Sequence, residues 1–291
     1  MNISLPALLS QLLLGLVNGS FYAILSLGLA VIFGLLNVIN FAHGALFMMG
    51  AVLSWMAMTY FNVNYWVMLV VAPLIVGLFG VLIERLLLRW IYKLDHLYGL
   101  LLTLGLTLLI EGVFRSIYGV SGLAYDTPDA LASATDLGFM RLPLYRAWVI
   151  VASLTVCLGT WFVIERTRLG AYLRAATENP TLVRAFGINV PRMITLTYGF
   201  GVALAALAGV MAAPIYNVSP QMGSDLIIVV FAVVVIGGMG SIMGAIVTGF
   251  ALGIIEGLTK VFFPEASNTV IFIIMALVLL VRPAGLFGRT A

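Results

Sequence analysis

The first long apolar run, residues 7–35, reads ALLSQLLLGLVNGSFYAILSLGLAVIFGL and decides the class of fold. It exceeds the roughly 20 residues that an α-helix needs to cross the hydrocarbon core of a bilayer. No Lys, Arg, Asp or Glu precedes Glu84. In lipid only helices and closed barrels pair all their main-chain polar groups, and a continuous rather than alternating pattern favours helices. We therefore expect an all-α, polytopic membrane bundle.

The rest of the chain repeats this pattern. Hydrophobic residues make up 63% of the 291 residues and charged residues 9%, whereas a soluble domain averages about 25% charged residues. About eight hydrophobic spans are expected in one transmembrane domain, residues 1–291. No basic region precedes the first run, so we expect it to remain as a span. The further runs are 42–60, 66–88, 98–114, 147–164, 194–215, 226–255 and 269–281.

The distribution of cations gives the expected sidedness. Short loops rich in Lys and Arg stay in the cytoplasm. Arg85, Arg89 and Lys93 place the connection after the third run inside, and segment 165–192 holds five of the fourteen Lys and Arg residues. By alternation, the mixed-charge loop 115–146 lies outside.

The side of the C-terminus stays open. Run 226–255 has Gly237-Gly238-Met239-Gly240-Ser241 at its centre. If this run crosses once, Arg282 and Arg289 fall outside, against the charge rule. Two half-helices meeting at the glycines would instead place the C-terminus inside.

Charged pairs at the ends of spans are expected, in preference to proton relays within the membrane. Glu111 precedes Arg115 by four residues, and Glu256 precedes Lys260 by four, so each pair can meet across one helical turn. The interior of the bundle is then expected to be uncharged, which suits a passive pathway or an apolar substrate.

Glycines four residues apart recur late in the chain. This spacing places small residues on one helix face and permits close approach of two helices in lipid. We expect these residues to pack within the bundle: Gly240, Gly244, Gly249, Gly253 and Gly257.

The motifs of several catalytic sites are missing. Neither lysine, Lys93 or Lys260, follows glycine as a P-loop requires. His43 and His96 lack carboxylate or cysteine neighbours at metal-ligand spacing, and Cys157 is the only cysteine. We expect no catalytic residue, no metal and no cofactor, so the chain is not expected to be an enzyme. The net charge of +3 is spread over helix ends, and no nucleic-acid partner is expected.

The cytoplasmic segment 165–192, ERTRLGAYLRAATENPTLVRAFGINVPR, contains signals for two short helices. Residues 169–177 favour the first. Asn179 is a strong N-cap and Pro180 suits the first position of the second helix, which ends at Gly187. Its apolar side chains are expected on one side. Such a helix could rest on lipid headgroups or dock in a groove of a cytosolic partner, and both interpretations stand.

Several separated motifs, in order along nearly the whole chain, resemble the permease subunits of ATP-binding-cassette importers for branched-chain amino acids, of the LivH type. They are NGSFY at 18–22, GLAVIFG at 28–34, INFAHG at 39–44, ENP at 178–180 with GIN at 187–189, GGMGS at 237–241 and RPAGLFG at 282–288.

This resemblance implies a half-transporter of the cell inner (plasma) membrane, without its own energy source. Its partners would be a second homologous permease, two cytosolic ATP-binding subunits and a periplasmic or extracellular substrate-binding protein. The second short helix would couple to an ATPase. Arg174 stands where the EAA-type pattern of many importer permeases has Glu, and Pro180 where it has Gly, so the position of the element is carried over but not its individual contacts.

The residues expected to contact the ATPase are Arg174, Ala175, Ala176, Glu178, Asn179, Pro180, Leu182, Val183, Arg184, Phe186 and Gly187. Polar or small residues within the spans are candidates for the pathway: Asn18, Ser20, Asn40, His43, Thr107, Gly237 and Gly238. For His43 two interpretations remain, a polar residue ending a helix at the inner surface or part of a gate. Loop 115–146 is expected to be either a docking surface for the binding protein or a solvated connection.

Alternative functions are a permease of the same class for urea or short amides, and a self-sufficient secondary transporter or channel. The second alternative predicts transport by this chain alone, whereas the importer hypothesis predicts none.

Overall fold

The computed structural model describes residues 4–36, 40–92 and 94–288 and is predominantly helical. Within these ranges seven helices are long and apolar enough to cross a membrane, and two shorter apolar helices accompany them. The all-α, polytopic prediction is confirmed. Ile39, Lys93 and Arg289, on which some expectations rested, lie outside the described residues.

The helices follow the apolar runs closely. They are α1 Leu5–Leu36, α2 Ala42–Phe61, α3 Tyr65–Ile83, α4 Arg89–Ile91, α5 His96–Tyr118, α6 Leu144–Arg166, α7 Arg168–Glu178, α8 Pro180–Ala185, α9 Val190–Ala212, α10 Met222–Gly237, α11 Ile242–Phe262 and α12 Val270–Val281. A π-helix, Glu84–Leu88, joins α3 to α4, and single 3-10 turns occur at Asp129–Leu131 and Pro264–Ala266. A small antiparallel hairpin pairs β1 Ala134–Asp136 with β2 Arg141–Pro143.

The chain forms two compact units, which are described separately. The first comprises Met1–Ser26, Asp126–Leu158 and Ile228–Ala291, and the second comprises Leu27–Tyr125 and Gly159–Ile227. The second unit therefore contains the whole of α2, α3, α4, α5, α7, α8 and α9.

In the first unit, α1 and α11 pack antiparallel along their glycines. A Cβ added at Gly253 would lie 2.3 Å from the Cα of Gly19, and one added at Gly257 would lie 3.0 Å from the Cα of Gly15. One added at Gly249 would lie 2.6 Å from the Cα of Ala23. The expected role of these glycines in close helix packing is confirmed.

The run 226–255 is broken where the glycines predicted. Gly238 and Gly240 have φ of +101° and +84°, in the left-handed region that glycine tolerates. The Oγ of Ser241 then caps α11 by accepting a bond from Gly244 N at 3.1 Å. The run is therefore not one continuous helix, and α11, with 21 residues, is long enough to cross a membrane and is not a half-helix. The side of the C-terminus stays open.

The C-terminal segment lies on this break. Leu286 N donates to Ile236 O at 2.8 Å, and Phe287 N donates to Gly237 O at 3.1 Å. These are carbonyls that the end of α10 leaves without an intrahelical partner. The motif after α12 thus supplies hydrogen bonds that the interrupted helix needs.

In the second unit, α9 packs against α2 and α3. The buried core between them includes Leu46, Val76, Tyr198, Val202 and Ala206. A Cβ added at Gly50 would lie 2.6 Å from the Cα of Ala206, so α2 and α9 are in close main-chain contact.

The loop predicted to lie outside meets the segment before α10 at one end of this unit. Leu123 and Val218 exchange main-chain hydrogen bonds of 2.8 and 3.0 Å. The Oη of Tyr125 lies 3.0 Å from the Oγ of Ser54, and Trp55 Nε1 donates to Ala124 O at 3.1 Å. The beginning of the loop after α5 is therefore fixed to α2 and to the segment before α10.

We expect Gly253→Ala to destabilise the protein, because the added methyl group would overlap the main chain of Gly19. Overpacking of this kind costs about 1–3 kcal/mol. Gly105→Ala is the matched control, since a Cβ there meets nothing within 4 Å. The measurement is the melting temperature in detergent: Gly253→Ala should melt several degrees lower, and equal melting of both variants would contradict the packing described.

Candidate functional site

The predicted pair of short helices is present in segment 165–192. Asn179 ends α7 and caps α8, its Oδ1 accepting a hydrogen bond from Leu182 N at 2.9 Å. Pro180 occupies the first turn of α8, and Gly187 after its end has φ of +81°. Gly187 N donates to Arg184 O at 2.9 Å. Both helix boundaries are set by the residues that predicted them.

The expected apolar side of α8 is divided. Val183 is buried against Ala176 and Val190, whereas 55% of Leu182 and 77% of Phe186 are exposed. Consecutive helical residues point about 100° apart, while residues four apart share a face. Val183 therefore joins α8 to α7 and α9, and Leu182 and Phe186 form an outward face beside the exposed Arg184.

Arg174 has a structural partner that the sequence did not indicate. Its Nη1 donates to Ile164 O at 3.0 Å and to the Oε2 of Glu165 at 3.2 Å. The ion pair is half-exposed, so its own contribution is about 0–1 kcal/mol. Together the two bonds tie α7 back to the end of α6.

Gly170 is a second residue that sequence reasoning missed. A Cβ added there would lie 1.5 Å from Ile164 O, so α7 crosses the end of α6 at a distance that only glycine permits. The sequence of segment 165–192 gives no signal for this contact, because Gly170 and Ile164 lie on two different helices.

The candidate pathway residues are divided between the two units. Asn18, Ser20, Gly237 and Gly238 belong to the first unit, and Asn40, His43 and Thr107 to the second. The hydroxyls of Ser20 and Thr107 donate to carbonyls one turn earlier in their own helices, at 2.9 Å each.

Asn40 and His43 lie at the start of α2. Asn40 Nδ2 donates to the Oη of Tyr198 on α9 at 3.1 Å. His43 is fully buried, and a Cβ added at Gly28 would lie 3.0 Å from its Cε1. His43 is therefore enclosed by protein at the start of α2, and both interpretations of it, a polar residue ending a helix at the inner surface and part of a gate, stay predictions.

The interior of the bundle is not uncharged, which corrects the sequence-based expectation. Three glutamates are at least 93% buried: Glu84, Glu111 and Glu256. Buried charges require partners, and each of the three has at least one hydroxyl within hydrogen-bond distance.

The two predicted ion pairs had different outcomes. Glu256 pairs with Lys260 at 2.5 Å, as expected, and its other oxygen accepts from the Oη of Tyr22 at 2.7 Å. Glu111 instead accepts from the Oγ of Ser224, and no ion pair with Arg115 occurs among the described residues. The prediction failed because helical spacing makes a contact possible without deciding which way the side chain turns.

Within the described ranges no group of three His, Cys, Asp or Glu side chains is placed to hold a metal ion. Between spans α6 and α9 the chain thus carries the short helix α8, whose side chains Leu182 and Phe186 are exposed.

Comparison with known proteins identifies the family. The model for the branched-chain amino acid transport system / permease component matches residues 11–279. The chain belongs to this family. The sequence resemblance is confirmed, and the chain is a multi-pass membrane protein and a permease component of a transport system.

Similar proteins align over almost their whole length. The chain is 31% identical to the high-affinity branched-chain amino acid transport system permease protein BraD of Pseudomonas aeruginosa. It is 30% identical to the corresponding protein LivH of Escherichia coli and 29% identical to LivH of Salmonella typhimurium. Each alignment covers 97% of this chain and 96% of the relative. These relatives are transport permeases.

We expect the end of α8 to depend on Gly187. Gly187→Val places a β-branched side chain at a left-handed φ, at a cost of about 1–2 kcal/mol, although a Cβ there meets nothing within 4 Å. Gly187→Asn is the control because asparagine tolerates this conformation. Tryptic cleavage at Arg184 in membrane vesicles should accelerate several-fold in the valine variant only. Equal cleavage of both variants would show that the left-handed conformation does not hold the helix.

Proposed function

We propose that this chain is the permease subunit of an ATP-binding-cassette importer that carries branched-chain, hydrophobic amino acids across the inner membrane. The observation that carries the proposal is α8, a capped helix fixed to α9 through Val183 while Leu182 and Phe186 face outward. A permease that is driven by separate ATPases requires a contact surface of this kind.

The relatives support the substrate class. LivH and BraD are named as branched-chain amino acid permeases, and the present chain aligns with them from end to end. Asn18, Ser20, Asn40, His43 and Thr107 remain our candidates for the pathway, together with Gly237 and Gly238. The assembly would contain a second related permease, two cytosolic ATP-binding subunits and an external substrate-binding protein.

Coupling would proceed through segment 165–192. Closure of the ATPases on ATP would displace α8, and the buried Val183 contact would pass this displacement to α9. The ATPase must contact the segment differently in its two states, because a ligand shifts an equilibrium only by its differential affinity. The bonds from Arg174 to the end of α6 would involve that span in the same movement.

Loop 115–146 supplies a candidate surface for the binding protein. Asp129, Asp136 and Arg141 are exposed on or near the β1–β2 hairpin. Interspersed charges of both signs favour orientation and rapid encounter of a polar partner rather than permanent binding.

Deletion of this chain from its host tests the proposed substrate. Uptake of labelled leucine, isoleucine and valine at low concentration should be lost and should return with the wild-type gene, while urea uptake stays unchanged. Loss of urea uptake with normal leucine uptake would contradict the proposal and support the amide alternative.

The docking role of α8 predicts the effect of Arg184→Glu combined with Phe186→Ala. Truncating an exposed anchor should leave the fold intact but weaken association with the ATPase by about tenfold or more, as at interface hot spots. The measurement is co-purification of the ATPase, with the melting temperature as a check on folding.

Leu108→Ala is the matched control, since Leu108 is 64% exposed on α5 and lies outside the coupling segment. It should co-purify as the wild type does. Full ATPase association of the double variant would contradict the docking role, and the helix would then be assigned to the lipid surface.

A further inference from the structure

Glu84 is the most deeply buried glutamate of the described residues and has 1% of its surface exposed. It is also the first acidic residue of the chain. It begins the π-helix Glu84–Leu88 at the end of α3. Single π-helical turns are uncommon and occur frequently at functional sites. A carboxylate in such a place requires partners that offset its burial.

The two carboxylate oxygens accept bonds from two different segments. The Oη of Tyr92 donates to Oε1 at 3.0 Å, and the Oγ1 of Thr195 donates to Oε2 at 2.6 Å. Burial, followed by the charge of Glu84, raises the pKa of Tyr92 above its ordinary value. The phenol therefore stays protonated and remains a donor. Glu84 thus joins α3 to α9 and to the residue that follows α4.

Thr195 has two acceptors for its single hydroxyl proton. Besides Glu84, Pro191 O lies 3.0 Å from its Oγ1, one turn earlier in α9. Because the hydroxyl can turn from the carboxylate to its own helix, the bond between α3 and α9 can open without leaving a donor unpaired. Because the hydroxyl of Thr195 has an acceptor in either arrangement, this contact is suited to a place where two helices move relative to each other.

The contact between Thr195 and Glu84 lies directly beyond the coupling segment, residues 165–192. Thr195 is in the second turn of α9, which starts at Val190, the residue that packs against Val183 of α8. Three residues further along the same face, Tyr198 accepts the bond from Asn40, just before α2. All these residues belong to the second unit.

We propose that Glu84 is a positioning residue for transport, which passes displacement of the coupling segment from α9 to α3 and to the start of α2. This inference rests on the proposed function. If Glu84 only stabilised the fold, its variants would lose uptake in proportion to their loss of stability. If it transmits movement, they would hydrolyse ATP without moving substrate.

The test uses the complete importer in vesicles and measures amino-acid uptake, ATP hydrolysis and melting temperature on the same preparations. Thr195→Val removes the hydroxyl and keeps the shape of the side chain. We expect unchanged assembly and hydrolysis, with uptake per ATP reduced roughly tenfold, the size expected for loss of one charge-assisted hydrogen bond. Thr195→Ser retains the hydroxyl and should restore the ratio.

Two further variants complete the design. Tyr92→Phe removes the other hydrogen-bond donor to Glu84 and should also lower the uptake per ATP. This second variant keeps the test decisive if Thr195→Val folds poorly. Thr248→Val is the control, because Thr248 is 97% buried and its hydroxyl has no hydrogen-bond partner among the described residues.

A wild-type ratio in both Thr195→Val and Tyr92→Phe would overturn the inference. So would a parallel fall of uptake, hydrolysis and melting temperature in both variants, which is the signature of a stabilising role alone. Absence of ATP-driven uptake by the wild-type importer would instead overturn the proposed function, and this inference with it.

Discussion

Hydrocarbon offers no hydrogen-bond partners, so every main-chain N–H and C=O group within the bilayer must be paired inside the protein. The organisation of this chain follows from that constraint. Its spans are helices, and the interruption between α10 and α11 is possible because Leu286 and Phe287 donate to Ile236 and Gly237. The C-terminal motif, residues 282–288, is therefore needed for the interruption between α10 and α11.

The same constraint explains where the short helices lie. Segment 165–192 is polar, and Asn179 caps α8 within it, so the first turn of this helix needs no neighbouring span to complete its hydrogen bonds. Val183 then fixes α8 to the bundle by a single buried side chain. Leu182 and Phe186 remain exposed, and we propose that this face is the surface that a separate ATPase contacts.

Local signals predicted local structure well. The apolar runs gave the spans, the glycines at 237–241 gave the break, and Asn179 with Gly187 gave both ends of α8. In each case the deciding hydrogen bond or dihedral angle lies within a few residues of the signal. The i,i+4 pair of Glu256 and Lys260 belongs to the same group.

Contacts between distant parts of the chain could not be predicted in this way. The partners of Glu84 and Glu111 include Thr195 and Ser224, more than a hundred residues away in sequence. Gly170 meets Ile164 only because two helices cross. The single apolar stripe expected for α8 also failed, because periodicity gives the direction of a side chain but not what packs against it.

The central claim is that this chain conducts amino acids only when a separate ATPase drives it. Purified chain should therefore be incorporated into vesicles with its related permease, with and without the ATP-binding subunits and the binding protein, and leucine entry measured. The account predicts ATP-dependent accumulation in the complete assembly and none without the ATPases. Accumulation of leucine by the chain without any ATPase would contradict it.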